Sequence, residues 1–178
     1  MDNFISGLKK LEQESRSRGI PIIGAEKGAW LSEKVKEEKP QKILELGTAN
    51  GYSGAILGSE KGKLVTIEKD EKIAEEAAVT FSKFNIDAEI LVGDGVEIVK
   101  ELADNKESFD MIFIDFSKRN YIMVLDNCVK MIKENGLIIA DNISFDKCRD
   151  FRQAVLNDKR LQTEIIDIKD GLSCSRKR

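Results

Sequence analysis

Four residues in two short stretches have the types and spacing to do chemistry together. Asp115 and Lys118 open D-x-x-K-x-x-Y (Asp115 to Tyr121), and Asp141-Asn142 closes the apolar run Leu137 to Ala140. Each stretch ends what reads as a buried strand, Phe109 to Phe116 in one case and Leu137 to Ala140 in the other. Neighbouring parallel strands lie about 4.8 Å apart, so Asp115, Asp141 and Asn142 can bring three oxygen donors to one hard cation, magnesium or a similar ion. Read alone, Asp141-Asn142 is a polar turn; Asp115 and Lys118 beside it turn the reading toward a metal. The chain has no histidine, which excludes Ser-His-Asp and Cys-His nucleophilic machinery and any histidine general base. Lysine, carboxylates or a hard metal must carry whatever catalysis this chain performs.

A second constellation lies upstream, in K-I-L-E-L-G-T-A-N-G-Y-S from Lys42 to Ser53. Ile43, Leu44 and Leu46 form an apolar run suited to a strand buried on both faces, and Glu45 interrupts it just before the turn, where a carboxylate is expected to face a ligand. Gly47 and Gly51 permit a sharp turn and close approach to a bound molecule, with a helix from Tyr52 to Ser59 starting beside it. The spacing is G-x-x-x-G, looser than the G-x-G-x-x-G of dinucleotide-binding turns, and it resembles the first motif of class I S-adenosylmethionine-dependent methyltransferases. Glu68 ends the next strand, Lys63 to Glu68, 21 positions beyond Gly47. A carboxylate there accepts hydrogen bonds from the ribose hydroxyls of an adenosine. Asp94, in the turn after a strand Ala88 to Val92, either contacts the adenine ring or caps the helix that starts at Gly95.

The elements that must position these groups alternate strand and helix without repeats. Phe4, Ile5, Leu8 and Leu11 fall at helical spacing over about residues 2 to 17, and a second helix ends near Lys39-Pro40. Glu71 to Phe84 reads as a packed helix capped by Asp70, and a further helix runs to about Lys133, closed by Asn135-Gly136. A helix over Asp146 to Asp158 precedes strands Leu161 to Ile168 and Gly171 to Arg176, which must be antiparallel because so short a link joins them. The pattern gives an α/β domain with a mainly parallel sheet.

Composition narrows the class further. With 41% hydrophobic and 34% charged residues the chain reads as an ordinary globular protein with no membrane segment and no secretion signal, and a cytoplasmic location is expected. Three cysteines without a C-x-x-C pair make disulfides and cysteine zinc sites poor readings. A net charge of −3 with both signs interspersed predicts no broad nucleic-acid face.

Taken in order, G-A-E-K-G (Gly24 to Gly28), E-L-G-T-A-N-G-Y-S, Glu68, G-D-G (Gly93 to Gly95), D-F-S-K-R-N-Y, A-D-N (Ala140 to Asn142) and D-G-L (Asp170 to Leu172) resemble the cation-dependent O-methyltransferases that include the catechol and caffeoyl-CoA enzymes. The resemblance implies a single Rossmann-like methyltransferase domain over 1–178, an N-terminal helix over 1–20 and a core over 21–178. Its sheet would have seven strands in the order 3-2-1-4-5-7-6, the last antiparallel, with helices on both faces. S-adenosyl-L-methionine would contact Ile23 or Gly24, Glu45, Gly47, Tyr52, Ser53, Glu68, Asp94, Gly95 and Asp115. Asp115, Asp141 and Asn142 would hold Mg2+ or a similar divalent cation, Lys118 would be the catalytic lysine, and Lys118, Asn142 and Glu164 would face the acceptor. The acceptor implied is a small hydroxylated molecule of the catechol type, with a tRNA hydroxyuridine, or donor binding without turnover, as alternatives. The link from Asn142 to Asp146 is shorter than the family's gating loop, which predicts an open acceptor side, and the apolar face of the first helix leaves room for a homodimer.

Overall fold

Ile43, Leu44 and Leu46 are fully buried in β1 (Lys42–Leu46), as a strand covered on both faces requires. The computed structural model describes residues 2–178 and pairs β1 in parallel with β2 (Lys63–Glu68) on one side and β4 (Phe109–Ile114) on the other. With β3 (Ala88–Val92), β5 (Ile132–Asp141), β6 (Leu161–Ile166) and β7 (Leu172–Lys177) the sheet order is β3-β2-β1-β4-β5-β7-β6. β7 runs antiparallel to both β5 and β6. Order and reversal are those the resemblance implies.

Alternation along each strand divides the core in two. Ile43, Met111, Phe113 and Ile139 pack with α1 (Asp2–Ser17), α2 (Gly24–Glu38), α3 (Tyr52–Leu57) and α4 (Glu71–Phe84). Leu44, Leu46, Ile112, Ile114 and Ile138 pack with α5 (Gly95–Asp104), α6 (Tyr121–Met131) and α7 (Arg149–Asn157). Each fully enclosed leucine or isoleucine contributes roughly 1.5–3 kcal/mol relative to exposure. The strand ends, freed from packing, are therefore fixed in space by both layers.

One sequence reading changes here. α6 stops at Met131, and Ile132 is already paired with Phe109 of β4, whereas Leu137 pairs with Met111. Residues 133–136 thus form a wide bulge opposite Asp110, with Asn135 at φ 64° and Lys133 Nζ 2.8 Å from Asp110 Oδ1. The K-E-N-G sequence works as a bulge, where it had read as a helix stop. α1 also lays its apolar face on its own chain: Leu8 and Leu11 join the core and the Phe4 ring meets Phe84 edge-on at 5.3 Å. Ile5 alone of the four apolar residues is exposed.

Candidate active site

The tips of β1, β2 and β4 are woven together by backbone hydrogen bonds. Gly47 and Thr48 N–H groups donate to Ile67 O at 3.0 and 3.2 Å, and Asp115 N–H donates to Leu46 O at 2.9 Å. Gly47 has φ 98°, and a Cβ there would fall 2.2 Å from Asp115 O. Glycine is required at this point because the β4 backbone passes against it. The chain then turns through Ala49 (φ 45°) and Gly51 (φ 88°) into α3. Over this turn opens a cavity of about 400 Å³.

Gly47, Tyr52, Ser53, Glu68, Asp94, Gly95, Asp115 and Lys118 all border that cavity. Glu68 is held in place by three backbone donors: Ala49 N–H at 2.9 Å on one oxygen, Lys69 and Asp70 N–H at 2.8 and 3.1 Å on the other. A carboxylate has about four lone-pair sites, so it keeps capacity for a further donor while its orientation is fixed. Asp94 caps α5, accepting from Val96 N–H at 2.9 Å, and borders the cavity as well. Capping and lining the crevice therefore coexist in one residue.

Glu45 is not brought to the cavity. Strand alternation turns it under α3, where it is completely buried and accepts from the Ser53 and Thr66 hydroxyls at 2.6 Å each. Burial pushes its carboxyl up to about 8 against the opposing effect of those two hydroxyls. Its role is to brace the turn from behind. Glu164 is also elsewhere: it lies mid-strand in β6, opposite Cys174, beside a surface groove with Lys34 and Arg176. Counting back from Asp170 places an acidic residue at Glu164, but in this hairpin the strand end nearest the site is Ile166.

Lys118 Nζ lies 2.6 Å from Asp115 Oδ1 and 5.7 Å from the centroid of the Tyr121 ring. Tyr121 is itself fully buried, stacked on Phe116 at 5.7 Å and edge-on to Phe151 at 5.4 Å. The D-x-x-K-x-x-Y spacing thus gives a lysine held by a carboxylate over an aromatic floor, which places a positive charge at the rim of the cavity.

A second cavity, about 330 Å³, is bordered by Ile23, Gly24, Lys27, Asp141, Asn142 and Asp170 among others. Lys27 is a residue the sequence did not single out. Its side chain is 2% exposed, and its ammonium is hydrogen-bonded to both Asp141 Oδ1 and Asp170 Oδ1. Asn142 closes the ring, its Nδ2 donating to Asp170 Oδ2 at 2.6 Å and its backbone N–H to Asp141 Oδ1 at 2.6 Å. Burial pushes the Asp141 carboxyl up to about 6, Asp115 adds to the rise, and Lys27 opposes it. The two candidate metal carboxylates therefore sense each other.

The donor set suits a hard cation. Each of the three side chains has one atom fixed by a protein partner and one oxygen, Asp115 Oδ2, Asp141 Oδ2 and Asn142 Oδ1, with no protein donor among the described residues. Orientation of metal ligands by hydrogen bonds from outside is the usual arrangement at metal sites. No three histidine, cysteine, aspartate or glutamate side chains among the described residues gather as a metal group, so a cation here would rest on two carboxylates and an amide.

The sheet order and glycine turn define the class I methyltransferase fold. The chain belongs to the O-methyltransferase family, whose profile matches residues 4–178 and whose class I members draw their methyl group from S-adenosylmethionine. It is 28% identical over 162 residues to the catechol O-methyltransferase of Niastella koreensis, covering 82% of this chain and 73% of that one. With the caffeoyl-CoA O-methyltransferase of Stellaria longipes it shares 28% over 145 residues, 76% of this chain and 60% of that enzyme. Among solved structures, an O-methyltransferase from Bacillus cereus in complex with SAH superposes with a TM-score of 0.85 at 24% identity, covering 97% of this chain and 91% of that one. The O-methyltransferase TomG from Streptomyces achromogenes, in complex with SAM, gives 0.86 at 24%, covering 96% and 89%. At these identities the structural likeness establishes the fold. None of the described helices is long and apolar enough to cross a membrane.

Proposed function

We propose that this chain transfers the methyl group of S-adenosylmethionine to a hydroxyl of a small catechol-like acceptor, with a divalent cation at Asp115, Asp141 and Asn142. The observation that carries the reading is Asp115 itself: it borders the cavity over the glycine turn, pairs with Lys118, and stands next to the Asp141-Asn142 tip. One residue thus adjoins the donor side, the candidate base and the candidate metal ligands.

Methyl transfer from a sulfonium is an in-line displacement that needs the attacking oxygen held about 3 Å from the methyl carbon. A bound divalent cation would lower the pKa of a chelating hydroxyl. On the donor side, Glu68, fixed by three N–H groups, is the group that would accept from the ribose hydroxyls. Gly47 lets the backbone pass close beneath. At the acceptor, the Lys118 ammonium, kept at the cavity rim by Asp115, holds the negative charge of the attacking oxygen; only as the neutral amine would it take the hydroxyl proton itself. Lys27 stops the Asp141 and Asp170 carboxylates from repelling each other and holds the β5 tip in place.

Calorimetric titration with S-adenosylmethionine, with and without magnesium, followed by a panel of catechols, tests the proposal. Donor binding followed by methylated catechol is the expected result. Tight donor binding with no product on any catechol would instead indicate a donor-binding protein.

A further inference from the structure

The glycine turn is fastened from outside the sheet as well as from within it. Asn50, in the middle of the turn and 3% exposed, donates through Nδ2 to Ser15 Oγ at 2.7 Å, 35 residues back in the chain. Ser15 is fully buried near the end of α1 and gives its own hydroxyl proton to Leu11 O at 2.7 Å. The other end of the Asn50 amide, Oδ1, is buried with no partner among the described residues. Ser15 is therefore the group on which this amide depends, because a buried amide left wholly unpaired pays its full desolvation penalty.

The turn needs such a fastening. Gly47, Ala49 and Gly51 have φ of 98°, 45° and 88°, and a run of left-handed residues that includes an alanine persists only where its surroundings over-determine it. Thr48 Oγ1 meets Thr66 Oγ1 at 2.6 Å and the Ala49 N–H meets Glu68 Oε2 at 2.9 Å, both on β2. Asn50 is the residue that reaches α1. Ser15 holds a second part of the cavity wall through its backbone: its carbonyl accepts from the Arg18 and Ile20 N–H groups at 3.2 and 2.9 Å, which sets where the chain leaves α1. The next two residues, Pro21 and Ile22, border the cavity over the turn. One buried serine thus fixes the glycine turn through its hydroxyl and the Pro21–Ile22 wall through its carbonyl.

We propose that Ser15 and Asn50 are positioning residues for S-adenosylmethionine: their hydrogen bond sets the glycine turn relative to the Pro21–Ile22 wall, although neither residue borders the cavity. This rests on the reading that the cavity over the turn holds the donor. The test is calorimetric titration of S-adenosylhomocysteine, the demethylated donor, into the full chain as wild type, Ser15→Ala, Asn50→Ala and the double variant, with urea unfolding of each in the absence of ligand. Each single variant is expected to bind about tenfold more weakly than the wild type, or about 1.4 kcal/mol. The double variant should bind no more weakly than the weaker single one, because all three lack the same bond. Alanine suits a helix interior, so Ser15→Ala alone decides the matter if Asn50→Ala does not fold. Affinities within about twofold of the wild type, or losses that simply multiply in the double variant, would overturn the proposal. So would a lower urea midpoint with unchanged affinity in the folded protein, since that is the mark of a bond that serves only the fold. A wild type that does not bind S-adenosylhomocysteine would overturn the donor-site reading itself.

Discussion

Lys27, in the first turn of α2, places its buried ammonium on the carboxylate of Asp141, 114 residues further along the chain at the tip of β5. Its second bond, to Asp170, reaches 143 residues. The pair ties the segment that enters α2 to the β5 tip that presents Asp141 and Asn142 and to the turn before β7 that carries Asp170. Removing one partner of a buried ion pair leaves the other uncompensated and typically costs about 3–5 kcal/mol. Lys27→Met should lose stability of that order in urea unfolding, and Lys27→Arg should recover part of it. A Lys27→Met protein as stable as the wild type would show the contact to be dispensable.

Gly47→Ala tests the turn. Its φ of 98° alone strains an alanine by about 1–3 kcal/mol, and the added Cβ would fall on Asp115 O. Calorimetry with the demethylated donor product should show at least about tenfold weaker binding, because the turn must move away from β4. Unchanged affinity would mean that the turn does not border the bound donor.

Lys118→Ala should separate binding from chemistry. Donor affinity is expected to stay near that of the wild type, since Glu68 and the glycine turn are untouched, whereas turnover should fall at least tenfold, about 1.4 kcal/mol in barrier height. Equal turnover would remove the lysine from the reaction.

Glu45 gives a pH signature in stability. Its folded carboxyl is raised to about 8 from an ordinary value of 4.5, mainly by burial. The folded state therefore binds more protons than the unfolded state between these values. Stability from this group is fully present below about 4.5 and is lost as pH rises through about 8. Urea unfolding of the wild type and Glu45→Gln at pH values across that window should show the wild type losing stability relative to the variant as pH rises. A difference that does not change with pH would contradict a protonated Glu45.

What could be read in the sequence was what local pattern determines. β2, β3 and α4 start and stop where their apolar runs and the Asp70 cap place them, because burial on both faces and a side-chain cap are encoded by neighbours in the chain. Asp115, Lys118, Asp141 and Asn142 were legible for the same reason: strand ends next to one another must gather whatever they carry. Lys133 to Gly136 was not, since its partner Asp110 lies on another strand and K-E-N-G fits a helix end equally well. Glu45 misled because a carboxylate before a glycine turn suggests a ligand, whereas alternation in β1 turned it under α3. Lys27 was invisible as a site residue because one lysine among several in an amphipathic helix gives no sign of carboxylates more than a hundred residues away.

The most direct measurement is transfer of an isotope-labelled methyl group from S-adenosylmethionine to catechol, with metal removed by a chelator and then restored with magnesium. The account predicts labelled mono-O-methylated catechol in step with demethylated donor, lost on chelation and regained with the metal. No labelled product while the donor is bound, or a rate indifferent to the chelator, would contradict it.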